Sequence, residues 1–265
     1  MALVSIITPV FNAEKWLPGL FATVQAQSMH DWEHILIDDC SGDDSLNIMR
    51  SYAASDSRIR VIASDQNGGP ARARNIGIRE SRGRFLTFLD ADDEWISTKL
   101  EKQIGWMQQN HVGMSYHDYR HMSEQGDLIG KVVSGPDSLD WPTLHKRRGV
   151  GCLTMAFDRR SCPLPVFSED MGKLIAEDFL AWADILAKGV IARRLPLDLA
   201  RYRVMASSRS GRKWDAAKSV WSIYRNIEKI PPALAMWYWA SYVIDAYRIH
   251  KRAKPIYSTK SIAKL

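Results

Sequence analysis

Asp90, Asp92 and Asp93 stand within four positions of one another, directly after the run Phe85-Leu86-Thr87-Phe88-Leu89. Five residues, four of them apolar, read as a strand buried on both faces, which puts the acids where that strand emerges. Ligands of open α/β sheets bind at the carboxyl ends of the strands. Closely spaced carboxylates there suit a hard divalent cation carrying substrate phosphates. Taken alone, the same residues also read as an acidic turn into a helix beginning near Ser97 or Lys99, and the two readings stand level.

Three other stretches separate them. Thr8-Pro9-Val10-Phe11-Asn12 follows a first apolar run, Asp38-Asp39 a second, and Gly68-Gly69 with Arg72 and Arg74 a third. Glycines permit close backbone approach to a ligand, and each polar stretch ends a strand-like run. A polar turn or a helical Arg is ordinary by itself; four such stretches in register on successive strands point to a nucleoside-diphosphate substrate. Gly68-Gly69 lacks the Lys-Ser/Thr of a Walker loop and the spacing of a dinucleotide fingerprint. His117 and His121 share a four-residue spacing, but surface histidines explain them better than zinc does.

The elements that must position these groups alternate. Strands are expected at Leu3–Thr8, ended by Pro9, at Trp32–Ile37, at Ile59–Ala63 and at Phe85–Leu89. Trp16, Leu17, Leu20, Phe21 and Val24 share one face of a first helix, and helices over Ser45–Ala54 and Ala71–Ser81 follow. This βα alternation predicts a mainly parallel sheet flanked by helices. Further on, a helix at Lys99–Asn110, strands at Val112–Tyr116 and Leu153–Phe157, a helix at Glu177–Lys188 and an extended run Ile191–Tyr202 are expected. Residues 120–150 read as loops with a hairpin. Trp214, Ala217, Trp221, Tyr224 and Ile227 have helical spacing, and Pro231-Pro232 separates them from a second helix.

A chain of 265 residues, 46% of them hydrophobic, excludes general disorder and allows one substantial α/β domain with a terminal extension. No signal peptide is visible, and Ala233–Ile244 is shorter than the roughly 20 residues of a spanning helix. Three cysteines without CxxC spacing indicate neither a disulfide framework nor a zinc cage, which fits a reducing cytoplasm. Residues 1–200 hold 22 Lys or Arg against 27 Asp or Glu, whereas residues 201–265 hold 14 against 3. The basic tail suggests an anionic surface as partner. Trp237, Tyr238, Trp239 and Tyr242 beside Arg248, Lys251, Arg252 and Lys254 favour an anionic membrane, with packing onto the body as the competing reading.

The motifs Ser5-Ile6-Ile7-Thr8-Pro9-Val10-Phe11-Asn12, Ile37-Asp38-Asp39-Cys40-Ser41-Gly42-Asp43, Ala73-Arg74-Asn75-Ile76-Gly77 and Phe88-Leu89-Asp90-Ala91-Asp92-Asp93 resemble, in order, those of family 2 glycosyltransferases with the GT-A fold. The resemblance covers residues 3–213. It implies an α/β GT-A catalytic domain over 1–212, with a nucleotide-binding region to about residue 95 and an acceptor-binding region from 96, before a helical basic extension over 213–265. It also implies inverting sugar transfer from a nucleotide-sugar, with UDP the expected nucleotide, using Mg²⁺ or Mn²⁺.

Residue by residue, Asp39 matches the acid that binds the nucleobase, beside Thr8, Pro9, Phe11 and Asn12. Arg74 matches the motif arginine near the donor. Asp90-Ala91-Asp92 matches the DxD motif, with Asp92 and Asp90 as metal ligands, and Asp93 supports that loop. Asp178 matches the catalytic base, supported by Glu177; without the family, both would read equally well as acids at a helix start. Tyr202-Arg203 resembles a tyrosine-arginine segment at the donor, where Met205 stands in place of a family histidine. The expected acceptor is a lipid-linked glycan of bacterial surface polysaccharide assembly. The expected location is cytoplasmic, peripheral on the inner face of the inner membrane, with no nucleic acid as partner. A haloacid-dehalogenase-type phosphotransferase would need its Asp-x-Asp on an early strand. A non-catalytic nucleotide-sugar or nucleic-acid binding module would have no use for Asp92 and Asp178 together.

Overall fold

The computed structural model describes residues 2–147, 149–169, 177–205 and 220–252. Val4–Val10 (β1), Trp32–Asp38 (β2), Ile59–Ala63 (β3) and Phe85–Phe88 (β4) run parallel in the order β3-β2-β1-β4. Leu17–Gln25 (α1), Ser45–Ser55 (α2) and Gly69–Glu80 (α3) connect them. Strand alternation divides β1 between two layers. Val4, Ile6 and Val10 pack with Leu17, Leu20, Phe21 and Val24, while Ile7 packs with Ala71 and Ala73 of α3. Gly77 makes the second contact close, because a Cβ there would lie 2.5 Å from Ile7 Cγ2.

β1 continues through Pro9 rather than ending at it. Val10 O accepts the Asp39 N–H on the β2 side and Ile7 O the Leu89 N–H on the β4 side. Pro9 has the parity of Ile7, so its missing donor faces the side where β4 has ended at Phe88.

Beyond β4, Glu94–Trp95 (β5), Lys99–Gln109 (α4), Met114–Met122 (β6), Leu128–Val133 (β7), Ser138–Leu139 (β8), Trp141–Leu144 (α5), Ala156–Asp158 (β9), Glu177–Ala187 (α6) and Ala192–Arg203 (β10) extend the sheet in the order β4-β9-β6-β10-β5. β9 is antiparallel to both neighbours, which returns β6 and β10 to the direction of β4. The expected strand at Leu153–Phe157 is instead a 3-10 turn, Cys152–Thr154, and a three-residue β9. Side chains take that turn's carbonyls: Trp95 Nε1 donates to Leu153 O (2.9 Å) and Gln103 Nε2 to Thr154 O (2.9 Å). The region 120–150 contains the β6–β7 hairpin, closed by the Ser123–Asp127 turn.

The expected helix from Trp214 lies partly outside the described residues. From Val220 it passes into a π-helical turn, Ile223–Ile227, and Pro232–Arg252 (α7) follows. Tyr224, Tyr238 and Tyr242 are buried in the same core as Phe179 and Trp182 of α6, and the Tyr224 hydroxyl donates to His145 O (2.7 Å). The tail aromatics therefore divide. Tyr238 and Tyr242 pack inward, whereas Trp237 is 61% exposed.

Lys99 is fully buried, with its Nζ donating to Thr87 Oγ1 (2.8 Å) over the Trp95 ring. Burial pushes its pKa well below the ordinary lysine value. Because the folded pKa is the lower one, this ammonium destabilises the fold below the unfolded pKa, and the penalty fades as pH rises toward about 10. Lys99→Met should therefore raise the melting temperature at neutral pH, with a gain that shrinks toward pH 10. A lower melting temperature than wild type at pH 7 would contradict this.

Candidate active site

The four polar stretches meet at the carboxyl edge of the sheet, where the loops after β1 and β2 are tied together. The Asn12 N–H donates to Ser41 Oγ (3.1 Å) and Asn12 Oδ1 accepts the Gly42 N–H (2.8 Å). Asn12 and Cys40 adopt left-handed φ values of 48° and 66°. Phe11, 52% exposed, presents its ring beside this seam. Asp39 reaches across to α3: its two oxygens accept the N–H groups of Gly68 (2.8 Å) and Gly69 (2.7 Å). Gly69 has φ +78°, a conformation that suits glycine.

One turn before Gly77, α3 carries Arg74, which is 5% exposed. Its Nη2 donates to Asp90 Oδ1 (2.6 Å) and its Nη1 to Glu177 Oε1 (3.4 Å). Burial opposes the charge, but Asp90, Cys152 and Glu177 more than offset it and raise the guanidinium's pKa. Asp178, beside Glu177 in the first turn of α6, accepts the Phe179 N–H (2.8 Å). Burial and the Glu177 charge lift Asp178 to about 6, against the pull of Arg74.

The acidic loop is held by Arg203 at the end of β10. Its backbone N–H donates to Asp93 Oδ1 (2.9 Å), Nε to Asp92 O (2.8 Å), Nη2 to Glu94 Oε1 (2.7 Å) and Nη1 to the carbonyls of Ser123 and Glu124 (both 3.1 Å). Trp16 lies beneath the guanidinium at 4.7 Å. Asp92 is raised to about 6 by burial and by Asp90, and Asp93 well above the carboxylate range by burial and then Asp92. The loop thus concentrates negative charge that a cation would relieve.

The sequence model of Glycosyl transferase family 2 matches residues 5–160, which include all four motifs. The chain belongs to this family. Among its glycosyltransferase relatives is TuaG of Bacillus subtilis strain 168, named as a candidate teichuronic acid biosynthesis glycosyltransferase. It is 35% identical over 252 residues, spanning 93% of this chain and 96% of TuaG. WfgD of Escherichia coli, a UDP-Glc:alpha-D-GlcNAc-diphosphoundecaprenol beta-1,3-glucosyltransferase, is 32% identical over 94% of this chain and 95% of its own. In fold, the chain resembles Staphylococcus aureus TarS residues 1–349 bound to UDP (TM-score 0.65, 17% identity, 94% of this chain and 72% of that one). It also resembles mannosyltransferase PcManGT of Pyrobaculum calidifontis with GDP-Man and Mn²⁺ (TM-score 0.64, 15% identity, 94% and 75%). The GT-A expectation for the fold holds, and the phosphotransferase reading is not favoured.

The structure brings Pro9, Phe11, Asn12, Asp39, Arg74, Asp90, Asp92, Glu177 and Asp178 to this glycosyltransferase's sheet edge, but it revises other expected contacts. Thr8 faces inward, fully buried, with Oγ1 2.9 Å from His34 Nε2, because its parity is that of the α1-facing residues. Ala91 turns into the core with Leu89 and Trp95. Arg203, expected at the donor, instead has its N–H groups engaged by the acidic loop and the β6–β7 turn. His117 is buried with Nδ1 on Asp118 O. Sequence reading missed Cys152, a buried thiol close enough to Arg74, Asp90 and Asp178 to feel their charges. Its place between Gly151 and the apolar run from Leu153 carries no signal.

Arg203→Ala should lower both melting temperature and turnover, with Arg203→Lys recovering little, because Lys cannot reproduce four directed contacts. An Arg203→Ala protein with wild-type stability and turnover would remove the loop-holding role.

Proposed function

We propose that this glycosyltransferase transfers a sugar, with inversion, from a UDP-sugar to a hydroxyl of a lipid-linked glycan in bacterial surface-polysaccharide assembly. The observation that carries this reading is that Arg74 pairs with Asp90 of the acidic loop and with Glu177 at the start of α6, which places beside that loop the next residue, Asp178, a half-buried carboxylate whose pKa of about 6 suits a general base. Phe11, Asn12 and Asp39 form a seat for the nucleobase, with the ring available for stacking and Asp39's remaining lone pairs for a base N–H. On the other side, Asp178 takes the proton of the acceptor hydroxyl as it attacks the anomeric carbon and the nucleoside diphosphate leaves. Direct displacement inverts the anomeric configuration, and no covalent enzyme intermediate is required. UDP as nucleotide draws support from TarS with UDP and UDP-GlcNAc and from the WfgD donor. The lipid-linked acceptor draws it from the diphosphoundecaprenol in the names of WfgD and WfaP.

Among the described residues no three His, Cys, Asp or Glu side chains form a ready cage. Asp92 and Asp90 nonetheless fit a divalent ion shared with a diphosphate: both are oxygen donors, and burial together with the Asp90 charge raises Asp92. They would hold Mg²⁺ or Mn²⁺, which when bound offsets charge on the leaving diphosphate. Asp93, fixed by the Arg203 N–H, supports the loop. Residues 1–95 then serve the donor and 96–212 the acceptor.

The test is nucleotide release and transfer across UDP-, GDP- and dTDP-sugars with Mn²⁺ or Mg²⁺ and extracted lipid-linked glycan. Asp178→Asn should lower turnover roughly 10²- to 10⁴-fold, and Asp92→Ala should abolish the metal response. Since the base acts deprotonated, kcat/KM should fall below about pH 6. Absence of donor binding with metal present would refute the reading.

Among the described residues no helix is long and apolar enough to cross a membrane. The outward side of α7 carries Leu234, Trp237, Ile244 and Tyr247, each at least 39% exposed, next to the basic end of the chain. Seating of these residues in an anionic membrane surface would bring a cytoplasmic, peripheral enzyme to its acceptor. Trp237→Ala/Tyr247→Ala should weaken cosedimentation with phosphatidylglycerol vesicles roughly tenfold, the scale of one or two lost apolar side chains, without changing the melting temperature. Unchanged sedimentation would exclude this face as the anchor.

A further inference from the structure

Asn75 neighbours Arg74 in the third motif, yet the chemistry above gives it nothing to do. It is 7% exposed and all its polar atoms are engaged. Nδ2 donates to Phe167 O (2.7 Å) and Glu169 Oε1 (2.8 Å), while Oδ1 accepts the Phe167 N–H (2.9 Å). The side-chain amide thus pairs with both backbone groups of one residue, as a neighbouring strand would. Phe167 needs that partner, because Cys162–Ser168 has no regular secondary structure over most of its length and contains Pro163 and Pro165.

Phe167 is 1% exposed. Its ring meets Phe88 of β4 edge-on (5.4 Å between centroids, 82°) and Trp182 of α6 in the same manner (5.7 Å, 75°). The Arg74 guanidinium lies 5.3 Å from the ring centre. Trp182 stacks on Phe157 of β9 (5.3 Å, 29°) and sits one helical turn after Asp178, on the same side of α6. A continuous packed path therefore runs from the Asn75 amide through Phe167 and Trp182 to the turn that bears Asp178.

We propose that Asn75 is a positioning residue for the general base: by holding the Phe167 backbone it fixes the ring that wedges between β4 and α6, and so sets the direction in which Asp178 meets the acceptor hydroxyl. This rests on Asp178 being the base. Removing the amide leaves the buried N–H and C=O of Phe167 unpaired, so the segment shifts to find water and the wedge shifts with it. The nucleobase seat, built on β1, β2 and the start of α3, is not on that path.

The experiment uses the full chain with Asn75→Ala, Phe167→Leu and Asp178→Asn, measuring folding, UDP affinity by calorimetry, and kcat and KM for donor and acceptor. Asn75→Ala is expected to lower kcat roughly tenfold to a hundredfold, the scale of a misplacement of about 1 Å, while UDP affinity and donor KM stay within about twofold. Phe167→Leu keeps the backbone bonds and removes the ring contacts, so it should give the same split even if Asn75→Ala does not fold. A loosened seat would also admit water to Asp178. With Glu177, Arg74, Asp90 and the Cys152 thiol as the titratable and charged groups around it, the acid limb of kcat/KM should then move to lower pH in Asn75→Ala. If Asp178→Asn abolishes turnover but the other two variants keep wild-type kcat and an unmoved acid limb, the positioning role is overturned alone. If Asp178→Asn retains turnover, the base assignment itself falls and the positioning role with it.

Discussion

Arg74 is the residue on which both halves of the site depend. A guanidinium that is 5% exposed persists only where carboxylates hold it, and here one comes from the loop after β4 and the other from the start of α6. The geometry follows from α3. Gly77 lets the helix lie close on β1 and β2, and Arg74, one turn earlier, is thereby brought over the carboxyl ends of the strands. Loss of that close approach would move the helix and pull Arg74 away from the Asp90 and Glu177 carboxylates. The ion pairs are consequently better understood as fixing relative position than as adding stability, since a buried pair at best recovers its own desolvation.

Charge in the acidic loop runs against folding. Asp92 and Asp178 at about 6, and Asp93 pushed well above the carboxylate range by burial and by Asp92, bind protons more tightly in the folded than in the unfolded chain. For Asp92 and Asp178 that tightness takes stability away as pH rises from about 4 to about 6. The fold tolerates the cost because Arg203 ties the loop through its own backbone and side chain to β10, the β6–β7 turn and Trp16. An acidic loop strained toward protonation and braced from behind is prepared for a positively charged ligand in front.

The first four strands and their helices are legible because each is a short apolar run between polar turns, and the site residues beside them are legible for the same reason: parallel βα units deliver every loop to one edge. What resists reading is set by contacts distant in sequence. The parity that turns Thr8 inward is visible only once α1 is known to cover that face. The switch of Leu153 from strand to turn depends on Trp95 and Gln103, which supply donors from 58 and 51 residues away. Arg203 reads as a donor contact when only its charge and motif are considered. Its actual partners, including carbonyls of Ser123 and Glu124, have no signature in the sequence.

The C-terminal segment shows why a composition argument there gives half an answer. Its aromatics read as either membrane-seeking or core-seeking, and the helix does both. Tyr238 and Tyr242 lie toward α5 and α6, in a cluster where the His145 ring meets Phe179 at 5.0 Å and Tyr224 at 5.1 Å, while Trp237 and Tyr247 lie on the opposite side. Phe179 follows Asp178 directly. The extension is therefore packed against the turn that carries the carboxylate, so cutting it away would disturb the site as well as the outer surface. Any contact that the outward face makes bears on a helix whose inward face already helps to hold Asp178 in place.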